Sequence, residues 1–258
     1  MSESRLFKYT IFIEEEAAMN RKVLITGASR GIGRAIAEAF AAAGDELFLT
    51  CKNNIDMLCE LKAELEAKYN ISCHAISCDM GDFDDVAGMF EDIEDLDIVV
   101  NNAGIAWLGL LTDMTPQEWK NLMDTNLNSL FYTSKFAVPL MIKKKSGRII
   151  NISSVWGAVG ASCEVAYSAS KGGVNAFTRA LAKELAPSGI TVNAISCGVI
   201  DTDMNRKHLT EGDLQDLQGE IPADRLGDPK EVADLVLKVA EAPAYMTGQI
   251  ITIDGGWI

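Results

Sequence analysis

Short runs that are apolar on both faces, alternating with helix-periodic segments, constrain this chain more than any other feature. Ile98-Val99-Val100 and Ile149-Ile150 carry no polar alternation. A strand covered by helices on both sides produces that pattern; a strand with one wet face does not. Lys22-Val23-Leu24-Ile25-Thr26 reads as the first strand. Ile32, Ala35, Ile36, Ala39 and Phe40 then recur at helical spacing, and Gly44 closes that helix. Further strands are predicted at Glu46–Thr50, Ile71–Ser77, Asp97–Asn101, Arg148–Ile152, Thr191–Ser196 and Gln249–Ile253. Helices are predicted over Ile55–Tyr69, around Val86–Phe90, from Thr115 to about Lys144, over Val165–Ala186, and from Asp228 to about Ala240. Two of them open on capping boxes with proline at the first helical position: Thr115-Pro116-Gln117-Glu118 and Asp228-Pro229-Lys230-Glu231. The prediction is one doubly wound α/β domain over residues 19–258, with a seven-stranded parallel sheet flanked by helices. Residues 1–18 stand outside the alternation and are expected to be a poorly ordered N-terminal extension.

Composition narrows the function classes. Lys and Arg number 23 against 37 Asp and Glu, a net charge of −14. A chain this acidic is a poor general binder of nucleic acid or anionic membrane. Its six cysteines form no CxxC pair and there are two histidines, so no metal constellation is predicted. Free thiols fit a reducing, cytoplasmic setting. No apolar run approaches the roughly 20 residues of a membrane span. The early run Leu6–Ile13 meets Glu14-Glu15-Glu16 at once, which is not a signal-peptide pattern.

Three motifs carry chemistry. Thr26-Gly27-Ala28-Ser29-Arg30-Gly31-Ile32-Gly33 joins the first strand to the first helix. Glycines there permit a tight turn and let backbone N–H groups approach a pyrophosphate at a helix N-terminus. Asn101-Asn102-Ala103-Gly104 follows the fourth strand, at the sheet edge where doubly wound folds bind ligands. Tyr167 and Lys171 are four apart on a predicted helix and share a face. A lysine ammonium beside a phenol favours phenolate and is expected to lower its pKa. Tyr167 could then pass a proton to or from a carbonyl oxygen, with Ser154 hydrogen-bonding the same oxygen.

In order and spacing these elements resemble the short-chain dehydrogenase/reductase family, a Rossmann-type fold, from Val23 to Trp257. Asp79, Asn126, Val192-Asn193-Ala194, Thr247-Gly248-Gln249 and Asp254-Gly255-Gly256 take part in the match. The resemblance implies a catalytic tetrad of Asn126, Ser154, Tyr167 and Lys171, with Ser154 and Tyr167 on the substrate and Asn126 anchoring a water that relays protons to Lys171. It implies nicotinamide-cofactor contacts from Gly27, Ser29, Arg30, Gly31, Ile32, Gly33, Lys52, Asp79, Met80, Asn102, Ala103, Gly104, Tyr167, Lys171, Ile200 and Thr202. Asp79 would accept from the adenine amino group. One departure stands out: Cys197-Gly198 replaces the family's usual Pro-Gly. A thiol near the cofactor predicts modest sensitivity to thiol reagents.

Members preferring NAD usually end strand two on an acidic residue. Here Thr50-Cys51-Lys52-Asn53 offers none, and Arg30 and Lys52 could pair with a 2′-phosphate, so NADPH is expected. The segment from Asp201 to Gly227 and the Tyr245–Gln249 ending resemble 3-oxoacyl-[acyl-carrier-protein] reductases of fatty acid biosynthesis. That resemblance implies an acyl-carrier protein as partner, with Lys143-Lys144-Lys145 as the best docking candidate, and a homotetramer. The lysine run also reads as compensation of a helix dipole. Acetoacetyl-CoA, a sugar or a small ketone is the alternative substrate, and a non-catalytic NADP-binding regulator is the alternative of a different class.

Overall fold

The computed structural model describes residues 20–208 and 210–258. The reading of residues 1–18 as a poorly ordered extension lies outside them. Seven strands form one parallel sheet in the order β3-β2-β1-β4-β5-β6-β7. They are β1 (Lys22–Ile25), β2 (Glu46–Cys51), β3 (Cys73–Ser77), β4 (Ile98–Asn101), β5 (Gly147–Ser154), β6 (Ile190–Cys197) and β7 (Ile250–Ile253). Helices α1 (Gly31–Ala42), α2 (Ile55–Tyr69), α3 (Phe83–Met89), α4 (Pro116–Met123), α5 (Ser129–Lys144), α6 (Trp156–Val159), α7 (Val165–Leu185), α8 (Asp203–His208), α9 (Glu211–Glu220) and α10 (Pro229–Glu241) connect them.

The doubly apolar strands explain the layering. In β1, Val23 and Ile25 join one buried cluster with Ile36, Phe40, Leu58, Leu61 and Val236 of α1, α2 and α10. Leu24 between them points to the other face, into a cluster with Met89, Ala137, Met141 and Leu185. β4 divides the same way, Ile98 and Val100 against Val99. Alternation along each strand thus feeds two cores rather than one core and solvent.

Sheet order reverses between β1 and β4, and a doubly wound fold opens its ligand crevice at such a point. Both proline-led capping boxes form: Thr115 with Glu118, and Asp228 with Glu231. The single helix expected from Thr115 to Lys144 is interrupted. Asp124–Asn128 forms a π turn between α4 and α5, and α5 continues through Pro139. Helices α8 and α9 occupy the segment after β6 for which the sequence reading assigns no element. No described helix is long and apolar enough to cross a membrane.

Candidate active site

A cleft of about 630 Å³ opens at the carboxyl ends of the strands. Its lining brings together Gly27, Ser29, Arg30, Gly31, Ile32, Gly33, Lys52, Asp79, Met80, Asn102, Ala103, Gly104, Ser154, Tyr167, Lys171, Ile200 and Thr202. Asn126 is the one sequence-predicted site residue set behind the wall.

The glycine segment is built to let something approach closely. Gly27 and Gly31 have φ of +66° and +56°, which a side chain rarely adopts. A Cβ on Gly33 would strike the Gly27 carbonyl oxygen. Arg30, at the N-cap of α1, makes no side-chain cap, and no acidic residue sits in the first turn. The positive helix end therefore faces the cleft uncompensated. Thr26 Oγ1 accepts from the N–H groups of Asn102 (3.0 Å) and Ala103 (2.9 Å). Asn102 Nδ2 donates to the carbonyls of Thr26 (2.8 Å) and Gly27 (3.0 Å). The Asn102 side chain thus fastens the β4 end to the glycine turn, and what it turns toward the cleft is backbone.

At the far end of the cleft, Lys52 Nζ lies 2.5 Å from Asp79 Oδ2 and Arg30 Nη1 lies 4.0 Å from Asp203 Oδ2. Asp79 also accepts from the Gly81 N–H at 3.0 Å. Both cations assigned to a 2′-phosphate are therefore held by carboxylates, in half-exposed pairs of small net worth.

Tyr167 and Lys171 share one face of α7, and Ser154 ends β5 beside them. Lys171 is 5% exposed. Its Nζ donates to the Ile152 carbonyl at 2.8 Å and lies 5.6 Å from the centre of the Tyr167 ring. Burial draws the ammonium down to about 8. The Tyr167 phenol moves oppositely to the expectation from sequence. Enclosure pushes it above its ordinary range, and the hydrogen bond with Ser154 opposes the shift without reversing it. Desolvation, not the lysine charge, dominates.

Asn126 sits in the π turn, 1% exposed. Its Oδ1 accepts from the Ile105 N–H (2.8 Å), and its Nδ2 donates to the Ile105 carbonyl (2.9 Å) and to Ser170 Oγ (3.2 Å). Ser170 Oγ donates in turn to the Tyr167 carbonyl (2.7 Å). The side chain is committed to tying the loop after β4 to α7, leaving the main chain of the wide turn as the part that could hold a water.

Geometry bears on two further expectations. Cys197 lines the cleft, but it is 5% exposed and burial pushes its thiol up to about 12. A buried, protonated thiol is a poor nucleophile, so the expected reagent sensitivity loses its basis. Lys143, Lys144 and Lys145 lie at the opposite sheet edge, before β5, whose eight residues span roughly 25 Å. Lys144 is paired with Asp95 (2.9 Å) and with Asp97. That geometry favours the helix-end role over docking for this cleft. Sequence reasoning missed Trp156, Glu164 and Trp257, which line the cleft, as do Met204 and Leu217 of the segment after β6. Only Glu164 had a signal, one helical turn before Tyr167.

The family profile described as short chain dehydrogenase matches residues 21–212. This chain belongs to that family. It is 38% identical to YmfI of Bacillus subtilis (strain 168), described as an uncharacterized oxidoreductase, over 93% of this chain and 99% of that protein. Identity is 39% to the 3-oxoacyl-[acyl-carrier-protein] reductase FabG of Aquifex aeolicus (strain VF5), over 90% of this chain and 95% of the relative. The crystal structure of a short-chain type dehydrogenase/reductase from Mycobacterium marinum superposes with a TM-score of 0.85 at 35% identity, covering 92% of this chain and 95% of that one. The chain is thus a short-chain oxidoreductase, of the kind that interconverts alcohols and carbonyls.

Proposed function

We propose that this short-chain dehydrogenase is an NADPH-dependent reductase. In this reading it converts a 3-oxoacyl thioester on acyl-carrier protein to the 3-hydroxyacyl thioester, as in fatty acid biosynthesis. The observation that carries this reading is the meeting of Tyr167, Ser154 and Lys171 in one cleft with the glycine turn. Carbonyl reduction consumes a proton at oxygen, and a phenol that keeps its proton at neutral pH is the acid to supply it. Tyr167 donates that proton to the carbonyl oxygen. The Ser154 hydroxyl hydrogen-bonds the same oxygen and orients it. The Lys171 ammonium, charged below about 8, stabilises the phenolate left behind. Asn126 holds the loop and the wide turn from which a proton relay to Lys171 would run.

The glycine cradle and the bare end of α1 fit a dinucleotide. Gly27, Ser29, Arg30, Gly31, Ile32 and Gly33 would hold its phosphates, and Asp79 and Met80 its adenine. Asn102, Ala103, Gly104, Ile200 and Thr202, with Tyr167 and Lys171, would hold the remainder. A bound nicotinamide supplies the hydride. Arg30 and Lys52 would exchange their carboxylate partners for the 2′-phosphate, which favours NADPH. Replacing both by alanine is expected to raise KM for NADPH at least about tenfold more than for NADH, a difference of about 1.4 kcal/mol; equal effects would remove the assignment.

The similarity to carrier-protein reductases supports the thioester substrate. Comparing acetoacetyl-carrier protein, acetoacetyl-CoA and a panel of ketones and sugars tests it. Preference for the carrier-linked substrate supports the reading, and thioesters that stay inert while another carbonyl turns over refute it. We also infer a homotetramer. Trp119 of α4, Phe131 of α5 and Val165 of α7 are large apolar side chains left exposed, which a subunit contact would cover.

A further inference from the structure

Beside Tyr167 the cleft holds an acidic side chain that the proton transfer does not use. Glu164 is the N-cap residue of α7, three positions before Tyr167, so both side chains belong to one helical turn. An N-cap side chain ordinarily accepts from first-turn N–H groups. Glu164 makes no such bond and lines the cleft instead. There enclosure pushes its carboxyl above its ordinary range. Trp257 stands edge-on to Trp156, ring centres 4.9 Å apart. No ion pair joins Glu164 to a lysine or arginine among the described residues. The nearest functional cation, Lys171, is turned to the Ile152 carbonyl. Its charge adds to burial in raising the Tyr167 phenol.

We propose that Glu164 is a specificity-determining charge filter: it turns away 3-oxo acids whose carboxylate is free and so selects those in which that carboxyl is esterified or thioesterified. The proposal deepens the reading of the chain as a reductase of 3-oxoacyl compounds and rests on it. A 3-oxo acid carries its carboxylate two carbons from the reacting carbonyl carbon. With the carbonyl oxygen on Tyr167 and Ser154, that second carboxylate enters the cleft that Glu164 also lines. Two like charges in a site partly closed to water repel. A thioester brings no charge there and meets the indoles of Trp156 and Trp257. Selection by a repulsive group is a recognised route to specificity.

The test measures kcat/KM for acetoacetate and for its neutral ethyl ester over a series of rising pH. Wild type, Glu164→Gln and Glu164→Ala are compared. The acid-to-ester ratio is expected to rise by about tenfold or more in both variants. A rise in both isolates charge from shape. A ratio unchanged in either folded variant overturns the proposal. Turnover of the ester without the acetoacetyl-carrier thioester removes the carrier reading and leaves the filter standing. Turnover of the thioester with an unchanged ratio removes the filter alone. Turnover of neither ester nor thioester removes both.

Discussion

Tyr167 and Lys171 titrate in opposite directions because both are enclosed by the same wall. Burial penalises whichever form is charged, so it raises the phenol and lowers the ammonium. The sign for activity follows directly. Lys171 is charged below about 8 and loses its proton above it, while Tyr167 keeps its proton across that range. Reductive kcat/KM, which reports the free enzyme, is therefore expected to be level at neutral pH and to fall as pH rises through about 8. A profile that rises through that region would contradict the assignment of Lys171. The spacing of Tyr167 and Lys171 was legible in the sequence. The direction of the phenol shift was not, because desolvation depends on what the fold stacks over the ring. Glu164, Trp156 and Trp257 were hidden for a related reason: they acquire a role only when the connection after β5 meets the chain's end at Trp257.

Among the elements, the β1–α1 turn has the least freedom. An alanine methyl at Gly33 would run into the Gly27 carbonyl oxygen and lie 2.5 Å from Asn102 Nδ2. Backbone and a bonded amide cannot yield cheaply, so Gly33→Ala is expected to cost about 1–3 kcal/mol in denaturant unfolding and to abolish NADPH binding. Gly88 in α3 has no atom within 4 Å of an added methyl. Gly88→Ala should instead stabilise the fold by about 0.5–1 kcal/mol. The opposite ordering of the two variants would mean that the turn is looser than this packing. Capping boxes at Thr115 and Asp228 made the starts of α4 and α10 legible. The π turn at Asp124–Asn128 was not, because the helical pattern runs through it and tertiary bonds from Asn126 to Ile105 and Ser170 set its shape. Helices α8 and α9 carry few apolar residues, and Gly212 and Gly219 weaken the signal further; the cap of Thr210 on Asp213 was the one mark available.

At the scale of the whole molecule, strands apolar on both faces fixed the class of fold, and the reversal between β1 and β4 fixed where its cleft opens. The proposed assembly rests on large apolar side chains left exposed on the surface. Phe131 is 52% exposed on α5; Phe131→Glu is expected to split the proposed tetramer into smaller species by light scattering, and a wild type already monomeric would remove the proposal. The central claim is that a neutral Tyr167 donates the proton in NADPH-dependent reduction of a 3-oxoacyl thioester. Its most direct test follows NADPH absorbance with an acetoacetyl thioester in wild type and Tyr167→Phe. The account predicts steady oxidation by the wild type and a loss of about 10²–10⁴ in kcat/KM in the variant. Equal rates for the two proteins, or no thioester reduction by the wild type, would contradict it.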